Sequence, residues 1–383
     1  MTYPLNRYLN IRWAGNPTLS ADGQFLAFIS DITGQFQAWQ VDLSGYDDVF
    51  TWPQQLTFAA DRVLYAHYSP VPGDNRLLCG HDIGGSEDMQ LSILDTATGE
   101  EYCLTEGFEE AMHIPGEWSA ATGELLFAAN RRNPAFFDLY RQPVDGGPAQ
   151  MIWQHDHVGY LYYAAWSPDQ TRVAFIREAK SAEHELFELN LTNGQVRQLN
   201  PKDKAAEFTG LAYNKEGTHL YVNTDLDSDF LHISRLNLAT GDWEDLVTHN
   251  ADIEQFAYSP DGRFLAYVTN REGDSYLDLL DLENGITRPA PEPATRPGVI
   301  GNWQDFMVFS ADSRSLAFSY SSATRTSDMH IWYLDSDDDA LVRKTDSSHG
   351  GIPVNQFVTP TLIHYPSFDD LEIPAYFYRP PQN

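Results

Sequence analysis

Short apolar runs separated by tight polar turns recur along the whole chain. Phe25-Leu26-Ala27-Phe28, Leu125-Leu126-Phe127, Val173-Ala174-Phe175, Leu220-Tyr221-Val222, Phe264-Leu265-Ala266-Tyr267 and Leu316-Ala317-Phe318 are short aromatic and aliphatic runs of high strand propensity. Each follows a turn: Ser20-Ala21-Asp22-Gly23, Ser119-Ala120-Ala121-Thr122-Gly123, Ser167-Pro168-Asp169-Gln170, Asn214-Lys215-Glu216-Gly217, Ser259-Pro260-Asp261-Gly262 and Ser310-Ala311-Asp312-Ser313. A further copy carries an insertion, Ser69-Pro70-Val71-Pro72-Gly73-Asp74 before Arg76-Leu77-Leu78. In these turns Pro presets φ, Asp caps through its side chain, and Gly accepts positive φ.

An alternating strand and a second turn come next in each unit. Examples are Asp88–Asp95 before Thr98-Gly99, Leu186–Leu191 before Asn193-Gly194, Leu231–Leu238 before Thr240-Gly241 and Tyr276–Leu282 before Asn284-Gly285. A last strand follows, as in Gln195–Leu199 or Trp243–Val247, and an aromatic strand precedes each first turn: Tyr160–Trp166, Phe208–Tyr213, Ile253–Tyr258, Phe306–Phe309. Four strands, A to D, repeat at about 48 residues, the period of propeller blades. The chain is read as all-β: a seven-bladed β-propeller of four-stranded antiparallel blades over residues 15–348, after an N-terminal segment 1–14 and before a tail 349–383. Every unit supplies its own four strands, so blades one and seven are expected to meet without exchanging one.

Composition agrees with short strands and tight turns: aromatics are 13% of 383 residues, with 26 Gly and 22 Pro. The formal charge of −31, from 55 acidic and 24 basic residues, argues against a nucleic acid or anionic membrane as partner. Its plain reading is solubility; the sharper one is attraction of cationic peptides. No secretory signal pattern opens the sequence and no apolar run reaches the roughly 20 residues of a membrane helix. Cys79 and Cys103 fall on strands B and D of blade two, roughly 9.5 Å apart across strand C. That is too far for a disulfide, so buried free thiols are expected, and a cytoplasmic location fits.

The tail leaves the repeat. Leu362–Pro380 is expected to form two strands around an Asp369-Asp370 turn, an apolar hairpin that is marginal alone in water. Ser367-Phe368-Asp369-Asp370-Leu371-Glu372-Ile373-Pro374-Ala375-Tyr376-Phe377-Tyr378-Arg379-Pro380 resembles the linker strand of the prolyl oligopeptidase family of serine peptidases, with Asp370 where the family has Gly. The Ser-Pro-Asp-Gly blades and the opening Arg7-Tyr8-Leu9 with Asn16-Pro17-Thr18-Leu19 point the same way, toward acylaminoacyl-peptidase or dipeptidyl-peptidase-like members. The blade motif alone is shared with TolB-like and WD40-like propellers. The resemblance implies an N-terminal propeller followed by an α/β-hydrolase domain of which 349–383 would be the linker and first strands, the rest being cut off.

The chain holds no Gly-x-Ser-x-Gly elbow; Gly84-Gly85-Ser86-Glu87-Asp88 fails at its last position, so no catalytic residue is assigned. Three clusters imitate metal sites. Asp225-Leu226-Asp227-Ser228-Asp229 lacks the Gly and Glu of a calcium loop, Asp335–Asp339 reads as a solvated turn, and His155-Asp156-His157 lacks further ligands. No metal or cofactor is expected.

Strand alternation places the D–A and B–C loops on one face, together with the exit to the tail, and the A–B and C–D turns on the other. The first face should carry the hydrolase and its irregular loops, among them Glu106–His113, Asn130–Phe137 and Trp153–Tyr160. Arg131 and Arg132 beside Phe136-Phe137 are candidates for a substrate carboxylate or carbonyl, the alternative being a structural ion pair with a nearby Asp. Glu109 and Glu110 are candidates for a peptide's free amino end. Trp118, Trp166, Tyr213 and Tyr258 are assigned to the inter-blade core.

The leading expectation is a non-catalytic, substrate-gating propeller of a peptidase acting on short peptides. Its partners would be its own hydrolase domain, peptides, and optionally a second copy. The alternative is a stand-alone TolB/WD-like interaction scaffold. A lyase or glycosidase with a central-channel site ranks third, because His113 is the one obvious inner-strand histidine.

Overall fold

The computed structural model describes residues 3–44, 51–293, 297–301, 305–335 and 340–379. Its seven antiparallel sheets, each built from consecutive segments, close into a propeller. The blades, each from inner strand A to outer strand D, are as follows. Blade one is Ala14–Leu19, Phe25–Ser30, Gln37–Asp42 and Gln54–Gln55; blade two is Val63–Tyr68, Arg76–His81, Gln90–Asp95 and Glu101–Cys103. Blade three is His113–Trp118, Glu124–Asn133, Phe136–Pro143 and Gln150–Trp153; blade four is Tyr160–Trp166, Arg172–Lys180, Glu183–Asn190 and Val196–Gln198. Blade five is Phe208–Tyr213, His219–Thr224, His232–Asn237 and Trp243–Val247; blade six is Ile253–Tyr258, Phe264–Arg271, Asp274–Asp281 and Ile286–Pro289. In blade seven Gly298–Ile300 and Val308–Phe309 share the inner position, both paired with Ser315–Ser322, and Asp328–Tyr333 and Leu341–Arg343 follow.

The repeated turn works through its serine and aspartate. Ser259 Oγ donates to Asp261 Oδ1 at 2.6 Å and accepts from the Phe264 amide at 2.8 Å, and Gly262 takes φ +81°. Ser20, Ser167 and Ser310 make the same pair of bonds in their blades. The serine thus ties strand A to strand B before the sheet ladder begins. Apolar side chains on both faces of strand B then pack between neighbouring blades. Leu78, Leu91, Trp118, Leu125 and Phe127 form one such cluster, and Trp166, Val173 and Phe175 belong to the next.

The ring closes without strand exchange. The Ala14 amide donates to Ser327 O at 3.1 Å, the Asn16 amide to Asp305 Oδ1 at 2.7 Å, and Ala14, Phe28 and Trp39 pack on Ala317, Met329 and Ile331. Residues ahead of blade one brace the seam: the Arg12 amide donates to Ser348 O at 2.8 Å and Arg7 Nη1 to Gly351 O at 3.0 Å.

Several expectations are corrected. Blade seven's inner strand starts at Gly298 rather than Phe306. Asn130–Phe137 is an extension of the strand pair rather than an open loop: after a register shift between Ala129 and Asn133, Asn133 pairs with Phe136 and leaves Pro134-Ala135 as the turn. Cys79 is buried, but Cys103 is exposed, since a strand at the outer rim has no neighbour beyond it. A second inner-strand histidine, His67, lies on Val63–Tyr68. No helix of the described residues is long and apolar enough to cross a membrane.

Thr361–Pro366 and Glu372–Phe377 form a two-stranded hairpin whose turn residue Asp370 takes φ +65°. The hairpin lies against the B–C turn of blade six: His364 Nε2 is 2.7 Å from Glu272 Oε1, and the Tyr376 ring packs on Gly273. Phe368 at its tip is 99% exposed.

Candidate functional site

The face touched by that hairpin carries all the sequence candidates. At the border of blades two and three, Arg131 Nε donates to His113 Nε2 at 2.9 Å. Its guanidinium lies over the rings of Phe108 (4.0 Å), Phe127 (4.9 Å) and Tyr140 (5.2 Å). His113 is fully buried and its Nδ1 lies 2.9 Å from Met89 O, so Nδ1 carries the proton and Nε2 accepts from Arg131. Burial, then the nearby guanidinium, push the imidazole down to about 4 and keep it neutral. Arg131 therefore holds its charge without a carboxylate, and its Nη2 is buried without a hydrogen-bond partner.

Arg132 is committed elsewhere. It forks onto the fully buried Asp138 with both bonds at 3.1 Å, reaches Asp156 at 3.0 Å, and donates to His155 O at 2.9 Å. Those bonds pin the B–C hairpin of blade three to the following D–A loop. Glu109 and Glu110 are exposed on the D–A loop that also brings Phe108 onto Arg131. Glu109 Oε1 accepts from the Gly107 amide at 2.8 Å, which lowers its pKa, while Glu110 is exposed beside it. One seam thus collects Arg131, Arg132 and the Glu109-Glu110 pair.

The imitation metal sites resolve into structural contacts. Lys204 Nζ pairs with Asp227 at 2.6 Å, Asp225 accepts from the Glu207 amide at 2.7 Å, and His155 Nε2 meets Arg177 Nη1 at 3.1 Å. Asp335 pairs with Arg314 at 3.0 Å, whereas 336–339 lie outside the described residues. Among the described residues no three His, Cys, Asp or Glu side chains are grouped to hold a metal. His232, Ser234 and Asp245 do cluster in blade five. However, Ser234 Oγ and Asp245 Oδ1 both meet Nε2, at 3.0 and 3.1 Å, while Nδ1 faces Phe230 O. A nucleophile-activating base needs its two nitrogens facing different partners, so this trio is not a triad.

Sequence reading missed the polar residues that hold the D–A loops on this face. Near the start of strand C, Gln37, Gln90 and Asp328 each accept from a threonine (Thr57, Thr105, Thr345) at 2.8 Å. Gln90 also donates to Ala111 O at 3.0 Å, directly behind the Glu109-Glu110 pair. The Leu-Thr pairs at Leu56-Thr57 and Leu104-Thr105 are the only trace of this in the sequence.

The inner strand of blade four meets the segment that leads into Val308–Phe309 of blade seven, nearly opposite in the ring. Tyr163, at φ +55° in a bulge, packs edge-on against Phe306 with ring centres 6.1 Å apart.

The fold compares closely with known peptidases. A puromycin hydrolase superposes with a TM-score of 0.77 at 15% identity, over 99% of this chain and 60% of that one. A prolyl endopeptidase gives 0.74 at 14%, over 97% and 55%. The chain shares its fold with a part of each of these proteins. An oligogalacturonate lyase shares the fold at a TM-score of 0.66 and 17% identity, with 85% and 91% covered. Among curated sequences, a dipeptidyl aminopeptidase of Pseudoxanthomonas mexicana is 24% identical over 38% of this chain. The peptidase YuxL of Bacillus subtilis is 25% identical over 48%, and a TolB homologue of Chlorobium luteolum 25% over 46%. The matches span 21% and 26% of the two peptidases, and the chain spans little more than half of the peptidase structures. No family model matches the chain.

Proposed function

We propose that this chain is the substrate-gating propeller of a prolyl-oligopeptidase-like serine peptidase acting on short peptides. The observation that carries the reading is the C-terminal hairpin. It bears the family's linker pattern, and it lies on the face of the D–A and B–C loops, against Glu272 and Gly273. The exposed apolar side chains of that hairpin, with Phe368 foremost, suit the opening strands of an α/β-hydrolase domain that brings the nucleophilic serine.

In this reading the disc caps the reaction chamber, admits unstructured peptides and excludes folded ones. Arg131, charged and without a carboxylate partner, receives a substrate carboxylate or carbonyl, and Arg132 holds the hairpin that presents it. Glu109 and Glu110 take the amino end. Neither cofactor nor metal takes part, and a cytoplasmic setting fits peptide turnover.

Chromogenic aminoacyl and acylaminoacyl substrates should not be turned over by these 383 residues. Turnover abolished by a serine-reactive inhibitor would sink the proposal. The reading frame beyond Asn383 should supply about 250 residues, a common domain length, with Gly-x-Ser-x-Gly; a stop codon there favours the second reading. That reading is a stand-alone TolB/WD-like scaffold, supported by the match to the TolB homologue over 46% of the chain.

A further inference from the structure

Between blades two and three a cavity of about 250 Å³ is lined by Tyr65, His67, Pro70, Leu78, Glu117 and Trp118. Most of these residues sit at the turn end of the two inner strands, so the cavity lies toward the opposite side of the disc from Arg131. Its polar groups have an uneven character. Glu117 is open to water yet closely walled by protein, and this desolvation pushes its carboxyl up to about 7, against the Trp166 amide hydrogen bond (2.6 Å) that lowers it. No cation contributes to that balance. His67 Nδ1 lies 2.8 Å from Tyr68 O, which can only accept, so Nδ1 keeps the proton and Nε2 remains an acceptor. Burial lowers the His67 pKa and holds the ring neutral. Tyr65 stacks on His67 with ring centres 6.3 Å apart, and Trp118, 5% exposed, has an indole N–H without a partner.

A carboxylate without a counter-ion, a second acceptor and two large aromatic rings around one small space suit a positively charged donor. An anion would face Glu117, and Arg76, whose guanidinium lies 5.8 Å from the Trp118 ring centre, is already paired with Asp74 and Asp145. A neutral apolar guest would leave the carboxylate and the imidazole nitrogen without partners. We propose that this cavity binds a small primary organic ammonium compound, with Glu117 taking the charge, His67 Nε2 accepting a second N–H, and Tyr65 and Trp118 lining the organic part. Aromatic rings attract such cations through their faces, and the net charge of −31 concentrates cations around the whole molecule. The site is independent of the peptidase reading.

Calorimetry of the full chain with benzylamine, against benzyl alcohol as its neutral counterpart, tests the proposal. Saturable 1:1 binding of benzylamine is expected, with benzyl alcohol at least about ten-fold weaker. Binding draws Glu117 into its ionised form, so affinity rises as pH passes through about 7, and below that pH a proton is released on binding, read from buffers of different ionisation heat. Glu117→Gln, whose amide oxygen can still accept from Trp166, should bind benzylamine at least about ten-fold less tightly. Equal affinity for the alcohol, unchanged binding by that variant, or no saturable binding overturns the proposal. Should the variant fail to fold, a pH-independent affinity of the unaltered chain overturns it equally.

Discussion

Asp305 accepts from the Asn16 amide at 2.7 Å and from Ser319 Oγ at 2.5 Å while only 2% exposed, and that burial pushes its carboxyl up to about 6. An acid whose pKa is raised on folding adds stability that is complete below its unfolded pKa, near 3.8, and lost as pH rises through about 6. Asp305→Asn keeps an oxygen for the Asn16 amide and removes the buried charge. Its melting temperature should equal or exceed that of the unaltered chain above pH 6, and its loss of stability between pH 4 and 6 should be smaller, measured by thermal unfolding across that range. Nothing in the sequence marked Asp305, because its partners stand 289 and 14 residues away. The Ser-Asp turns could be read directly, since every bond they make closes within a few residues.

At the scale of the element, strand B shows itself by uninterrupted apolar character and strand C by alternation. Both periodicities hold over a single run. The threonine clamps are different, because each joins strand C to the end of strand D through a side chain whose type changes from Gln to Asp between blades. With no constant residue to follow, they could not be seen without coordinates. Thr105 is fully buried, its hydroxyl donating to Gln90 and accepting from the Leu91 amide. Thr105→Val leaves both groups unpaired and should cost about 1–3 kcal/mol in chemical denaturation. Thr105→Ser should recover most of that. Hydrogen exchange in the loop carrying Glu109 and Glu110 should quicken in the valine variant; an unchanged rate there would mean that the clamp does not hold the loop. The sequence pattern puts the arginines of the rim on a loop. They stand on extended strand instead, since pairing between Asn133 and Phe136 carries the sheet beyond the average blade edge.

The whole molecule bears 55 acidic side chains against 24 basic ones around a ring closed without a shared strand. Self-repulsion of that size works against a compact disc and is screened by salt. The melting temperature should therefore climb between low and about 0.5 M sodium chloride, where the Debye length falls below 10 Å. A salt-independent value would show that the repulsion is already offset locally.

The contact between Tyr163 and Phe306 bears on how anything could travel along the axis of the disc. An aromatic pair of this geometry is worth about 0.5–1.5 kcal/mol beyond the surface it covers, at most a few times thermal energy. In the proposed gating role, two rings joined by so little would part and rejoin readily, as a turnstile does, without sealing the passage. A slender, extended chain can wait for the gap. A folded one would be held back by its width, so the gate proposed above would discriminate by size without expending any energy of its own.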